Sequence, residues 1–204
     1  MNQPTAKPVR IARPVMIALG VLAGIALLAF SLVPPRLSPD QPHPAVGSAL
    51  PALDLTSLTP ESTSLGLDDL RGKTVLLNFW GTWCGRCQEE FPHIERLAKK
   101  YGTNPDFRLV SVSCEGGADE DLDTLHDNTR KYLEQAGSPT TPYADVSGET
   151  RRAVAMRTGE IGFSYPTTLV LDGDGTIQGL WQGYDRQTIR HIDRVLQRLL
   201  NDRS

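Results

Sequence analysis

Two cysteines separated by two residues, Cys84 and Cys87, stand in the segment WGTWCGRCQEEFP (80–92), between an apolar run and an amphipathic one. At the start of a helix this spacing puts both sulfurs on the first turn, where a disulfide closes without bending the chain. The leading cysteine then sits where unpaired backbone N–H groups and the helix dipole favour negative charge. Thiolate is the reactive form of cysteine, and such positions lower the thiol pKa from about 8.5 into roughly the 3.5–7.5 range. Arg86 adds a positive charge between the two. The expected chemistry is thiol–disulfide exchange, with Cys84 as nucleophile and Cys87 as resolving thiol.

Other uses of the pair fit less well. Structural zinc takes four ligands, commonly a second C-x-x-C or two closely spaced histidines. Here only Cys114 remains, and His43, His93, His126 and His191 are scattered along the chain, so no metal is expected. A purely structural bridge across two residues closes too short a loop to stabilise much. Trp80 reads as core, whereas Trp83, just before Cys84, reads as an exposed surface against the dithiol that meets substrate. Cys114 reads as a small buried hydrophobe, with a third redox thiol as the alternative.

The pair needs a strand to deliver it and a helix to hold it. Thr74–Trp80 (TVLLNFW) is apolar apart from Asn78, as a strand buried on both faces of a parallel sheet reads. Phe91, Ile94, Leu97, Ala98 and Tyr101 recur at helical spacing up to Gly102. Phe107–Ser113 is a second parallel-type strand. Helices are expected over 119–136 and 147–157. Thr167–Asp172 and Thr176–Gln182 read as a hairpin around the DGDG turn, for which a calcium loop lacks the later acidic ligands. Asp185 caps a last helix with Ile189, Ile192, Val195, Leu196 and Leu199 on one stripe.

Before this domain come 19 uncharged residues, Val15–Val33, preceded by Lys7, Arg10 and Arg13. As a helix the run spans about 28 Å, the thickness of a bilayer core, and the basic residues keep the N-terminus in the cytoplasm. The expectation is a cytoplasmic N-terminus (1–14) and a single-pass transmembrane anchor (15–33), with a cleaved signal peptide as the alternative. The first cysteine is Cys84, which excludes a lipidated N-terminal cysteine. Prolines 34, 35, 39, 42 and 44 then make a semi-rigid extended linker over 34–48. The domain is expected over 49–204, on the far side of the membrane. Among 204 residues there are 21 Lys and Arg against 24 Asp and Glu, and residues 37–204 hold only 17 of the basic groups but all the acidic ones. So acidic a body argues against nucleic-acid binding.

LLNFWGTWCGRCQEEFP resembles the active-site segment of thioredoxin-fold proteins, specifically the membrane-anchored TlpA/ResA type of thiol–disulfide oxidoreductase. The resemblance covers roughly 49–202. Pro92, five residues after Cys87, matches the proline that kinks the family's active-site helix, and Tyr165-Pro166-Thr167-Thr168 matches the loop whose cis proline faces the dithiol. It implies an α/β fold with a central mixed sheet flanked by helices. It also implies that Tyr165 and Pro166 meet substrate. Thioredoxin itself has a buried Asp where this chain has Asn78, which cannot carry a proton. Glu90, three residues after Cys87 and on the same side of the helix, matches the subgroup's glutamate for the second thiol's proton; the alternative is that Glu89 and Glu90 are simply a solvated helix start. Arg86 departs from the family's usual proline, which bears on the redox potential.

No metal or organic cofactor is implied. The implied partners are proteins with cysteine pairs, commonly apocytochrome c before haem attachment, and a membrane thiol-electron donor. The implied location is the periplasmic side of the bacterial inner membrane. Three other readings stay open on the same fold: an oxidase that donates its disulfide, a thiol peroxidase using Thr82 and Arg86, and a non-catalytic copper chaperone.

Overall fold

The computed structural model describes residues 43–60, 63–116, 121–159 and 162–202. The expected N-terminus, transmembrane segment and most of the proline-rich linker lie outside them. No helix among the described residues is long and apolar enough to cross a membrane.

Strands β1 (Asp54–Ser57), β2 (Leu65–Gly66), β3 (Thr74–Trp80), β4 (Phe107–Ser113), β5 (Pro142–Ala144), β6 (Thr167–Leu171) and β7 (Ile177–Gln182) form one sheet in the order β2-β1-β5-β4-β3-β6-β7. β3, β4 and β5 run parallel, β6 lies antiparallel to β3, and β7 antiparallel to β6. Helices α1 (Gly85–Tyr101), α2 (Leu122–Ala136), α3 (Glu149–Thr158) and α4 (Arg186–Asn201) follow β3, β4, β5 and β7. This is the thioredoxin-like mixed sheet that the resemblance implies.

β3 is buried along its whole length, and its two sides serve different layers. Val75, Leu77 and Phe79 join Val110, Val112, Leu169, Leu171 and Val154 of α3 in one core. Leu76 on the other side packs with Ile94 and Leu97 of α1 and Ile192 and Leu196 of α4. The period of two therefore puts Asn78 and Trp80, with Leu76, on the side that faces α1. α1 and α4 are parallel neighbours. His93 Nε2 meets Tyr184 Oη at 2.8 Å, and Lys100 Nζ meets Asp193 Oδ1 at 2.6 Å, so both helices start at the same end of the sheet.

β3 and β4 keep their predicted bounds, and the other predicted elements shift by one to three residues. α2 begins at Leu122 because Asp121 caps it, accepting from Thr124 N at 3.2 Å. Asp185 Oδ1 caps α4 as expected, accepting from Gln187 N and Thr188 N at 2.7 Å each. β1, β2 and β5 were not expected. They have four, two and three residues, too few to display alternation, and β5 starts on a proline.

The boundary at Ala49 also moves. Gly47 N donates to Ile177 O at 2.8 Å and Ile177 N to Ser48 O at 2.9 Å, extending the β7 edge. Ala45 is buried in the main core and His43 Nδ1 accepts from Ala45 N at 3.0 Å. Residues 43–48, assigned above to the linker, belong to the domain, because their backbone groups find partners on β7 and Ala45 a core. A fragment starting at residue 49 should be less stable than one starting at 43 by about 2 kcal/mol, the loss of two backbone bonds and a buried methyl. Urea unfolding of the two fragments measures this.

Candidate active site

β3 ends at Trp80 and α1 begins at Gly85, so the dithiol sits at the carboxyl end of the central strand. Cys84 is the N-cap of α1: its backbone is extended, and its Sγ accepts from Cys87 N at 3.2 Å. Its sulfur thus occupies the position where a helix start stabilises anions. Cys84 and Cys87 are joined in a disulfide with Cα atoms 5.2 Å apart. Neither is widely exposed, but the order is clear: Cys84 is 8% exposed and Cys87 1%. Behind them Trp80, Phe91 and Leu133 close an apolar cluster, with Tyr132 at its margin.

Glu90, one turn beyond Cys87, is buried at 1% exposure. Asn78 Nδ2 donates to Glu90 Oε2 and to Thr168 Oγ1, both at 2.9 Å, and Thr168 Oγ1 donates to Glu90 Oε1 at 3.3 Å. One carboxyl group thereby ties α1 to β3 and β6. Burial pushes the Glu90 carboxyl up from its ordinary 4.5 to about 7, against the opposing pull of the Asn78 and Thr168 hydrogen bonds. Glu89 is the solvated neighbour; Glu90 is not. Asn78 and Thr168 were missed as site residues. A lone amide in an apolar strand, on the same side as Leu76 and Trp80, was the available signal.

The other wall is aromatic. The Tyr165–Pro166 peptide is cis. Trp83, 49% exposed, stands edge-on to the Tyr165 ring, centroids 5.3 Å apart, and Phe163 backs Tyr165 at 5.1 Å. The Trp83 indole N–H donates to Cys114 O at 2.9 Å, and its ring covers Gly81 and Gly116. A Cβ at Gly81 would lie 2.4 Å from Trp83 Nε1 and 2.7 Å from Cys114 O, so the WGTW run needs glycine there. Tyr165 Oη accepts from Arg151 Nη1 at 3.1 Å, and Arg151 Nε donates to the fully buried Asp145 Oδ2 at 3.1 Å. Asp145 also accepts from Thr150 N and Arg151 N, at 3.2 and 2.7 Å, fixing the first turn of α3. Burial, with the Cys114 thiol alongside, pushes the Tyr165 hydroxyl up. Nothing in the spacing of Asp145 and Arg151 announced that they support this wall.

The structure thus brings Trp83, Cys84, Cys87, Glu90 and Tyr165 to one end of the sheet. Cys114 is buried, at 1% exposure, behind Trp83. Arg86 is exposed and extends towards Gly183, whose N–H donates to Pro166 O at 2.7 Å.

Residues 46–180 match the model of the AhpC/TSA family. The chain is 42% identical over 160 residues to the thiol-disulfide oxidoreductase ResA of Bacillus thuringiensis (strain Al Hakam), covering 78% of this chain and 82% of that one. It is 29% identical over 188 residues to the thiol:disulfide interchange protein DsbE of Xylella fastidiosa (strain 9a5c), covering 90% of this chain and 86% of the relative. A solved structure of a putative thiol:disulfide interchange protein DsbE from Chlorobium tepidum shares the fold, with a TM-score of 0.61 at 22% identity over 76% of this chain and 97% of that one.

The raised Glu90 pKa has a consequence for stability. As pH rises from 4.5 towards 7 the unfolded chain gives up the Glu90 proton first, so the oxidised native state loses up to about 3 kcal/mol from this group, and no more above pH 7. Glu90→Gln should remove that loss and be more stable than the parent at pH 8 but not at pH 4. Urea unfolding of the oxidised proteins at both values measures it; an equal difference at the two pH values would contradict the assignment.

Proposed function

The chain belongs to the AhpC/TSA family and is a thiol–disulfide oxidoreductase, and from that premise we propose that it is a membrane-anchored, extracytoplasmic disulfide reductase of protein substrates. One observation carries this reading: a disulfide at the N-cap of α1 with a buried carboxyl, half-protonated near neutral pH, one turn further on. The apolar run 15–33 with its preceding basic residues supports the anchor, and the relatives named as interchange proteins support protein substrates.

In the reduced enzyme the Cys84 thiolate attacks one sulfur of a substrate disulfide. A Cys84–substrate disulfide forms and the other substrate sulfur leaves as thiolate. Glu90 then takes the Cys87 proton, and the Cys87 thiolate attacks Cys84 Sγ, releasing the second substrate thiol and leaving the Cys84–Cys87 disulfide. Two electrons pass to the substrate. A pKa near 7 suits Glu90 to that transfer, since a carboxylate at its ordinary pKa is a weak base towards a thiol. A membrane thiol-electron donor would re-reduce the pair. Trp83, Tyr165 and Pro166 would form the face against which the substrate segment lies. Apocytochrome c, with its closely spaced cysteine pair, is the proposed substrate class.

The reduction potential of the Cys84–Cys87 couple tests the direction: a value far below the compartment's poise fits a reductase, and one near the most oxidising thioredoxin-fold proteins fits an oxidase. Consumption of hydrogen peroxide by the purified chain would favour a peroxidase. Brief substoichiometric iodoacetamide should label Cys84 before Cys87, read by mass spectrometry. Cys87→Ala should accumulate mixed disulfides that Cys84→Ala does not. Glu90→Gln should keep the fold, slow exchange by about 100-fold or more, and shift the Cys87 titration. Unchanged turnover and thiol titration would remove Glu90 from the mechanism.

A further inference from the structure

The basic residues of the domain are concentrated on α1 and α4. α1 and α4 together carry eight basic and four acidic residues, whereas the rest of residues 37–204 carries nine basic and twenty acidic. One of the four acids, Glu90, is buried against the sheet. The inward stripes of the two helices, Ile94 and Leu97 on α1 and Ile192 and Leu196 on α4, pack on the sheet. Their outer sides present Arg96, Lys99, Arg186, Arg190 and Arg194, all exposed. Of the acids on these helices, Asp193 is taken by Lys100 at 2.6 Å and Glu95 accepts from Thr140 Oγ1 at 2.5 Å, leaving Glu89 as the solvated carboxylate. Lys99, Arg186, Arg190 and Arg194 form no ion pair with any described residue.

We propose that this outer face of α1 and α4 docks on anionic phospholipid headgroups of the membrane to which the chain is tethered. The proposal rests on the anchored reading above. Charge complementarity selects an anionic surface, and the tether selects lipid over a soluble acidic protein. Only nine residues separate Val33 from His43, so the tether spans at most about 35 Å even fully extended. The tether thus keeps a headgroup surface at high effective concentration, and the basic face is attracted once it comes within a Debye length, about 8 Å at physiological salt. Juxtamembrane basic clusters bind such surfaces through their summed charge. Because α1 and α4 both begin at the dithiol end, a domain lying on this face holds Cys84 at the level of the headgroups, within reach of a thiol donor embedded in the same membrane.

The test reconstitutes the full chain in nanodiscs of phosphatidylcholine, or of phosphatidylcholine with about a third phosphatidylglycerol, and follows amine acylation of Lys99 by mass spectrometry. Lys73, just before β3 at the end away from the dithiol, with its Nζ donating to Pro105 O at the surface, is the internal control. At low salt, Lys99 labelling should fall about threefold or more in the anionic discs relative to the neutral ones, with Lys73 unchanged. Protection should vanish at about 1 M salt, where the Debye length is about 3 Å. The combined variant Arg186→Glu, Arg190→Glu, Arg194→Glu should lose protection while keeping its disulfide-exchange rate in solution. Equal Lys99 labelling in the two lipids overturns the proposal. So does protection that appears only when an acidic protein is added to neutral discs, which would give the face to a protein partner. Failure of the anchor reading shows separately, as a chain that leaves phosphatidylcholine discs at high salt; cosedimentation with phosphatidylglycerol vesicles at low salt is then the deciding measurement.

Discussion

A single carboxyl group, buried where three elements meet, holds the helix that carries the dithiol to the sheet. Glu90 takes hydrogen bonds from Asn78 on β3 and Thr168 on β6 while sitting on α1 one turn beyond Cys87. A charge there would be desolvated, and two neutral donors compensate only part of that cost, so the proton is retained to near neutral pH. The position that makes the group expensive to ionise also gives it a proton affinity near neutral pH, as the proposed role requires. Its two neutral partners matter as much as its burial. A cationic partner would have held the carboxylate ionised and unable to take a proton at neutral pH, whereas an apolar pocket would have kept it protonated.

The dithiol occupies the boundary between that buried network and solvent. Cys84 has the helix N-terminus on one side and the exposed Trp83 on the other, while Cys87 lies within the apolar cluster of Trp80 and Phe91. The asymmetry of the two sulfurs follows from helix geometry: the N-cap residue is still outside the helix, and the residue three later has turned inward. Trp83 in turn depends on Gly81 and Gly116 for space, and on Cys114 O for its indole N–H. Cys114 therefore contributes to the site through its backbone.

The cis-proline wall is supported from behind by an ion pair with little exposure. Arg151 spans from Asp145 to the Tyr165 hydroxyl, so the start of α3 and the ring that faces Trp83 are parts of one hydrogen-bonded unit. Removing one partner of such a pair leaves a buried charge unpaired, which costs far more than an exposed pair contributes. The wall and the carboxyl network approach the dithiol from different layers and are joined through β6, which starts at Thr167 directly after Pro166 and carries Thr168.

Much of this was legible in the sequence. The spacing of Cys84 and Cys87, the apolar run of β3, the stripe on α4 and the capping Asp185 are local patterns, and local hydrogen bonding and burial fix their meaning before any tertiary contact forms. Together with Pro92, Glu90 and Tyr165-Pro166 they pointed to the thioredoxin-like fold and to side chains that the structure gathers at one end of the sheet. The sequence left Glu90 open between a solvated helix start and a buried base, because residues 89 and 90 are both glutamate and a helix face is defined only by what covers it. Asn78 and Thr168 are 90 positions apart and become partners only when β6 inserts beside β3 in antiparallel register. β1, β2 and β5, the burial of Ala45, and the pairing of Asp145 and Arg151 with Tyr165 likewise depend on long-range pairing. Short strands carry no periodic signal, and a hydrogen bond between distant side chains leaves none at all; only the assembled sheet decides them.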